Sequence, residues 1–205
     1  PQAQETWYPL ATGVEPLRAL LKAQQVSLTP TDGPLPKRSS QAGALFQRQF
    51  RAMVWSMARH WEQAETERRA ELLLAPSDPL AHMGLSLALM GQGRLDEALK
   101  ETEAALTLDP KRSSIVFQKG LVLQRMSRLR DAEECMRRAI AMDDDAERRI
   151  TLGALLAAEG KNAEATAMLS RAAEMAPNHP LAHWRLGIAL EAEGKWDEAA
   201  AALQR

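Results

Sequence analysis

Small residues recur along this chain at a fixed step, and that recurrence restricts its fold more than any other feature. Ala64, Ala98, Ala132, Ala165 and Ala199 follow one another at steps of 34, 34, 33 and 34 residues. Twelve residues before each stands another small residue: Ala52, Ser86, Gly120, Gly153 and Gly187. Three residues after each of these comes a large apolar one: Trp55, Leu89, Leu123, Leu156 and Leu190. A period of this length accommodates one helix, a tight turn and a second helix. Two helices of a hairpin approach closely only where neither carries a bulky side chain, so one small residue per helix marks the crossing. The turn is spelled out at Gly93-Arg94-Leu95-Asp96-Glu97-Ala98 and again at Gly194-Lys195-Trp196-Asp197-Glu198-Ala199. Glycine ends the first helix, and the acidic pair starts the second, where the helix dipole favours negative charge.

The chain has two compositional zones. Residues 1–42 hold six of the eleven prolines. One short amphipathic helix is expected there, with Pro16 in its first turn and Leu17, Leu20 and Leu21 on one face. Thr29-Pro30-Thr31-Asp32-Gly33-Pro34 then breaks any helix. A helix that short is marginal in water, so residues 13–26 are expected to pack against the first units or the groove, with 29–40 an irregular connection. From residue 43 onward the pattern is helical, and it divides into units at 45–78, 79–112, 113–145, 146–179 and 180–205.

These residues resemble the tetratricopeptide repeat family. Leu85, Ser86, Leu89, Ala98, Ala105 and Pro110 match its pattern in one unit, and Leu152, Gly153, Leu156, Ala165, Leu169, Ala172 and Pro177 in another. The resemblance implies an all-α fold, a right-handed superhelical α-solenoid of antiparallel helix pairs. Some positions depart from the pattern. Arg48, His82, Val116, Arg149 and His183 stand where the family has a bulky apolar residue. The unit at 45–78 has Arg51 and Glu71 where an apolar and a small residue are expected, which fits an N-terminal cap facing water. Asp144 replaces the usual helix-ending proline.

Composition narrows the function. Hydrophobic residues are 45% and charged residues 26% of the 205, the balance of a globular chain. Lys plus Arg (26) matches Asp plus Glu (27), which argues against a nucleic-acid or anionic-membrane surface, because neutralising phosphates needs a clustered basic excess. No apolar run approaches the roughly 18 residues of a membrane span. A single cysteine, Cys135, permits no internal disulfide and fits a cytoplasmic and a periplasmic setting equally. The chain opens at Pro1 and its fifth unit stops at Arg205, so it is expected to be a piece of a longer protein with any targeting signal out of view.

In the family, the first helices of successive units line a concave face. The matching positions offer Met83, Leu87, Met90, Phe117, Leu121, Arg125, Ile150, Trp184 and Ile188 as the partner-binding set. Most are apolar, and soluble proteins seldom leave such a surface uncovered. Either the groove is open to a partner, or these side chains pack between helices or beneath residues 1–42. A subgroup of the family grips the C-terminal carboxylate of chaperones with Lys and Asn; here those places hold Met83, Leu87, Gln118, Glu147 and Thr151, so that clamp is absent. Catalytic and metal readings fare poorly. His179 and His183 are four apart but flank Pro180, Asp143, Asp144 and Asp145 are adjacent and read as a solvated helix end, and Cys135 sits beside Glu133 and Glu134, which oppose a thiolate. Arg48, Arg51, Arg59, Arg68 and Arg69 interleave with Glu62, Glu65, Glu67 and Glu71 and read as a salt-bridged solvent face. The expectation is a non-enzymatic interaction scaffold with no cofactor and no metal. It would bind a protein or peptide with apolar anchors, with self-association through the solenoid ends as a further mode. The alternative is a regulatory or targeting domain of a larger enzyme, such as a glycosyl- or sulfotransferase.

Overall fold

Apolar residues at steps of three and four give each segment one sticky stripe, and a short helix holds together only when that stripe meets another. The structure, a computed structural model, describes residues 41–204. The expectations for the helix at 13–26 and the connection at 29–40 lie outside these residues. The described helices are α1 (Gln41–Met57), α2 (Trp61–Leu74), α3 (Pro79–Gly91), α4 (Leu95–Leu108), α5 (Ser113–Arg125), α6 (Leu129–Met142), α7 (Ala146–Ala158), α8 (Asn162–Met175), α9 (Pro180–Ala192) and α10 (Trp196–Leu203). They pack as antiparallel pairs, each pair against the next, with no strand among the described residues.

The turn inside each pair is built the same way five times. Arg59, Gly93, Ser127, Gly160 and Gly194 all have positive φ, between 59° and 79°. The amide that follows each one donates to the carbonyl five residues back, on Trp55, Leu89, Leu123, Leu156 and Leu190, at 2.9–3.0 Å. That bond closes the end of the first helix and reverses the chain. Three units supply glycine, which accepts this conformation freely; Arg59 and Ser127 adopt it at a cost. Between units, Asp78 caps α3 by accepting from the Leu80 amide at 2.9 Å, and Asp145 caps α7 through the Arg148 amide at 3.0 Å.

Packing follows the small residues. A Cβ built on Gly120, Gly153 or Gly187 would meet Met136, Leu169 or Leu203 at 2.9, 2.6 and 2.6 Å. In the second pair, Ser86 and Thr102 fill the same crossing with a buried hydroxyl pair at 2.6 Å. The main core runs through α5–α9, built on Leu123, Met136, Ile150, Leu152, Leu155, Leu156 and Leu169. A second cluster joins α3, α4 and α5 through Leu85, Leu89 and Val122.

The first pair differs from the rest. Among its residues with described side chains, only Ala52, Ala64 and Glu71 are fully buried. Glu71 stands where Ala105, Ala139 and Ala172 stand in later pairs, and it is 1% exposed. Its Oε2 accepts from Arg68 Nη1 at 2.8 Å, and the Arg68 side chain is itself only 16% exposed. Gly84 on α3 makes the room, since a Cβ there would lie 2.4 Å from Arg68 Nε. The reading of this charge mixture as a solvent face therefore needs correction. Arg68 and Glu71 point inward because the next pair covers them, while Arg48 and Arg51 share Glu67 at the surface.

First helices of neighbouring units touch each other (α1 with α3, α3 with α5, α7 with α9), whereas second helices do not approach one another in this way. That asymmetry places the first helices on the inside of the bend and makes their free side the concave face. The loosest joint lies between α6 and α7, and α5 and α7 hardly meet. There the linker is Asp143-Asp144-Asp145 and carries no proline. The three aspartates are not a merely solvated end: Asp144 holds Arg149 at 2.6 Å, and Asp143 and Asp145 both hold Arg148 at 2.9 Å.

Candidate interaction surface

Each first helix turns two positions, four residues apart, toward the concave side: Met83 and Leu87 on α3, Phe117 and Leu121 on α5, and Trp184 and Ile188 on α9. On α7 the second of these is Ala154, followed by Ala157 and Ala158. The surface is therefore tall at α5 and α9 and low between them.

The nine residues named from the sequence divide by burial. Trp184 is 51% and Ile188 44% exposed, and Leu181, one turn earlier, is 37% exposed. Met83, Leu87, Phe117 and Leu121 are half-buried, with Leu87 and Leu121 leaning on the α3–α5 core and Phe117 on the larger one. The guanidinium of Arg148 lies 5.9 Å over the Phe117 ring, and Arg185 lies 5.8 Å over the ring of Trp184. Arg125 is exposed at the end of α5. Met90 and Ile150 are buried, at 8% and 2% exposure, because neighbouring helices close over them; they support the surface from below.

The sequence reading missed a second apolar strip. Phe46, Phe50, Met53 and Met57 on α1 are 67%, 36%, 36% and 69% exposed. Their spacing of four, three and four marks one helical face, a signal present in the sequence but hidden by treating this unit as a polar cap. Leu80 on α3, 41% exposed, extends the concave strip toward α1.

The groups that a catalytic or metal reading would need are committed to structure. His179 Nε2 meets Glu147 at 2.6 Å, and His183 Nε2 meets the Pro177 carbonyl at 2.8 Å, so the two histidines turn to different partners. Cys135 is half-buried, and burial, more than the nearby Glu134, pushes its thiol above the ordinary range; Glu133 is occupied by Lys161 and Arg137. Among the described residues no three His, Cys, Asp or Glu side chains group as metal ligands. No described helix is long and apolar enough to cross a membrane. A cleft of about 440 Å³ opens between α8, α9 and α10, lined by Thr166, Ser170, Glu174, His183 and Leu190 among others.

Models of the tetratricopeptide repeat match residues 79–112, 113–145 and 156–205. No curated protein matches the sequence. Several solved structures share the fold. Pseudomonas aeruginosa pilF is 20% identical, with a TM-score of 0.71 over 80% of this chain and 75% of that one. MamA from Desulfovibrio magneticus RS-1 is 17% identical, with a TM-score of 0.66 over 80% and 94%. YrrB, described as a TPR protein with an unusual peptide-binding site, is 22% identical, with a TM-score of 0.60 over 81% and 90%.

Proposed function

We propose that this chain, which belongs to the tetratricopeptide repeat family, is a non-catalytic scaffold that holds a peptide segment of a protein partner along its concave face. The observation that carries the reading is the apolar strip on the first helices, from Leu80, Met83 and Leu87 through Phe117 and Leu121 to Trp184 and Ile188. Apolar surface this continuous is characteristic of recognition sites. The peptide-binding site of YrrB is consistent with it.

Binding energy at such a surface concentrates in a few large side chains. Phe117 and Trp184 are the best placed, since each combines a ring, partial exposure and support from the helix beneath. The test is selection of binding peptides from a random display library on the 205-residue chain, followed by calorimetry with Phe117→Ala and Trp184→Ala. Each variant is expected to weaken binding by about 1–3 kcal/mol with helicity intact. Wild-type affinity in both would move the partner site off the concave face.

The exposed strip on α1, with Trp196 at 64% and Leu203 at 52% on α10, supports a second reading, self-association through the terminal pairs of helices. Sedimentation over a concentration series tests it, and a strict monomer at high concentration removes it.

A further inference from the structure

We propose that the stretch of concave face from α5 to α9 selects a partner segment with an acidic residue and a basic residue roughly six to eight residues apart in extended chain, with a bulky apolar side chain between them. The proposal rests on the groove reading above and gives its occupant a chemistry.

The charge inventory of the first helices is the starting point. Nearly every charged side chain there is engaged by a neighbour: Lys119 pairs with Glu103 at 3.0 Å, Arg149 with Asp144 at 2.6 Å, and Glu147 shares a hydrogen bond with the His179 ring at 2.6 Å. Among the described charged residues of these helices, only Arg125, Arg185 and Glu191 lack a polar side-chain partner. Arg185 is half-buried and lies over the Trp184 ring. Arg125 and Glu191 are fully available, both exposed and of opposite sign.

Their placement matters more than their number. Arg125 ends α5 and Glu191 lies in the last turn of α9, so they bracket α7. The α7 surface between them is low, because Ala154 and Ala157 occupy the positions that carry Leu121 and Gln124 on α5 and Ile188 and Glu191 on α9. Leu121 stands on one side of this trough and Ile188 on the other. Side chains as small as alanine leave depth for one bulky apolar group, and apolar walls favour it. Packed helices lie 8–10 Å apart and α5 and α7 hardly meet, so the two charges are separated by at least roughly 20 Å. At about 3.3 Å per residue an extended chain needs some six residues or more to cover that span. Opposite bare charges at the two rims set the direction and register of what lies between them more than its affinity.

The experiment uses the 205-residue chain and three kinds of fluorescent synthetic peptide with a Ser/Gly background and a central phenylalanine. One carries an aspartate and a lysine, made at spacings of roughly six and eight residues, one carries two aspartates and one carries two lysines at the same spacings. Anisotropy titrations at low salt are expected to rank the mixed peptide tightest, by about three- to fivefold, the scale of one exposed ion pair. Arg125→Glu is expected to move the preference to the two-lysine peptide, and Glu191→Lys to the two-aspartate peptide. Trp184→Ala is expected to weaken all three. An unchanged ranking in both charge-reversal variants, or no measurable binding of the mixed peptide, overturns the inference. If the ranking is unchanged and Trp184→Ala still weakens binding, the groove reading stands without the inference; where the mixed peptide does not bind, the peptides selected from the display library carry the Trp184→Ala test. If Trp184→Ala changes nothing, the groove reading falls as well.

Discussion

The buried Arg68–Glu71 pair allows a sharp test of what holds the first helix pair in place. Glu71 is 1% exposed and Arg68 keeps 16% of its side chain in solvent, so neither is properly hydrated. Only one carboxylate oxygen is paired; Glu71 Oε1 and Arg68 Nε have no hydrogen-bond partner. Glu71→Ala removes the counter-charge and leaves the guanidinium packed under Gly84 without compensation. Breaking a buried pair from one side costs about 3–5 kcal/mol, and the residual hydration of Arg68 places this case near 3. Arg68→Leu with Glu71→Ala instead copies Leu169 and Ala172 of the fourth unit, which are 1% and 0% exposed. Removing both charges removes both desolvation costs, so the double variant is expected to be more stable than the wild type by about 1–2 kcal/mol. Urea unfolding followed by circular dichroism reads the global change. Hydrogen exchange by mass spectrometry over 41–75 reads it locally, with protection lost in Glu71→Ala and gained in the double variant. A neutral Glu71→Ala would refute the reasoning, since it would mean that Arg68 reaches water without its partner.

Three further outcomes follow from features shared by all the units. Ser127→Gly, at φ 61°, is expected to stabilise by about 1 kcal/mol, and Gly160→Ala, at φ 76°, to destabilise by a similar amount, both read from urea midpoints. Gly120→Val is expected to cost about 1–3 kcal/mol by forcing α5 from α6, because the new Cβ meets Met136 at 2.9 Å and the Ala132 carbonyl at 3.2 Å; thermal melts check it. The hydrogen bond from Lys161, with that from Arg137, holds the Glu133 carboxyl below the usual carboxylate range. A depressed folded-state pKa contributes stability that is present above the unfolded value, near 4.5, and lost as pH falls through the folded one. Urea midpoints should therefore fall more steeply between about pH 5 and pH 3 in the wild type than in Glu133→Gln.

The architecture was legible because its signals are local and repeated. A small residue opposite a large one at a fixed offset is a backbone requirement, and five copies of it leave few alternatives. Individual side chains were less legible. Met90 and Ile150 occupy groove positions by register, yet they are buried because closure depends on how far neighbouring helices swing over them, which register does not encode. Arg59 and Ser127 hide two of the five left-handed turns, since neither residue type announces that conformation. Glu71 was visible as a departure from the pattern, but its inward direction depends on Gly84 in the following unit. The acidic run at 143–145 looked like solvent exposure because its arginine partners come later in the chain, on α7.

The seam between α6 and α7 has a mechanical meaning. A stack in which each element touches only its neighbours has no crossing strut, so its stiffness is that of its joints in series. Compliance then gathers at the loosest joint, here the one bridged by Asp143-Asp144-Asp145. The alanine-floored trough lies directly beside it on α7. Flexing at this joint would change the opening between α5 and α7, and the arginine–aspartate pairs that clamp the linker would resist it, the way a spring clip is set by the stiffness of its bend.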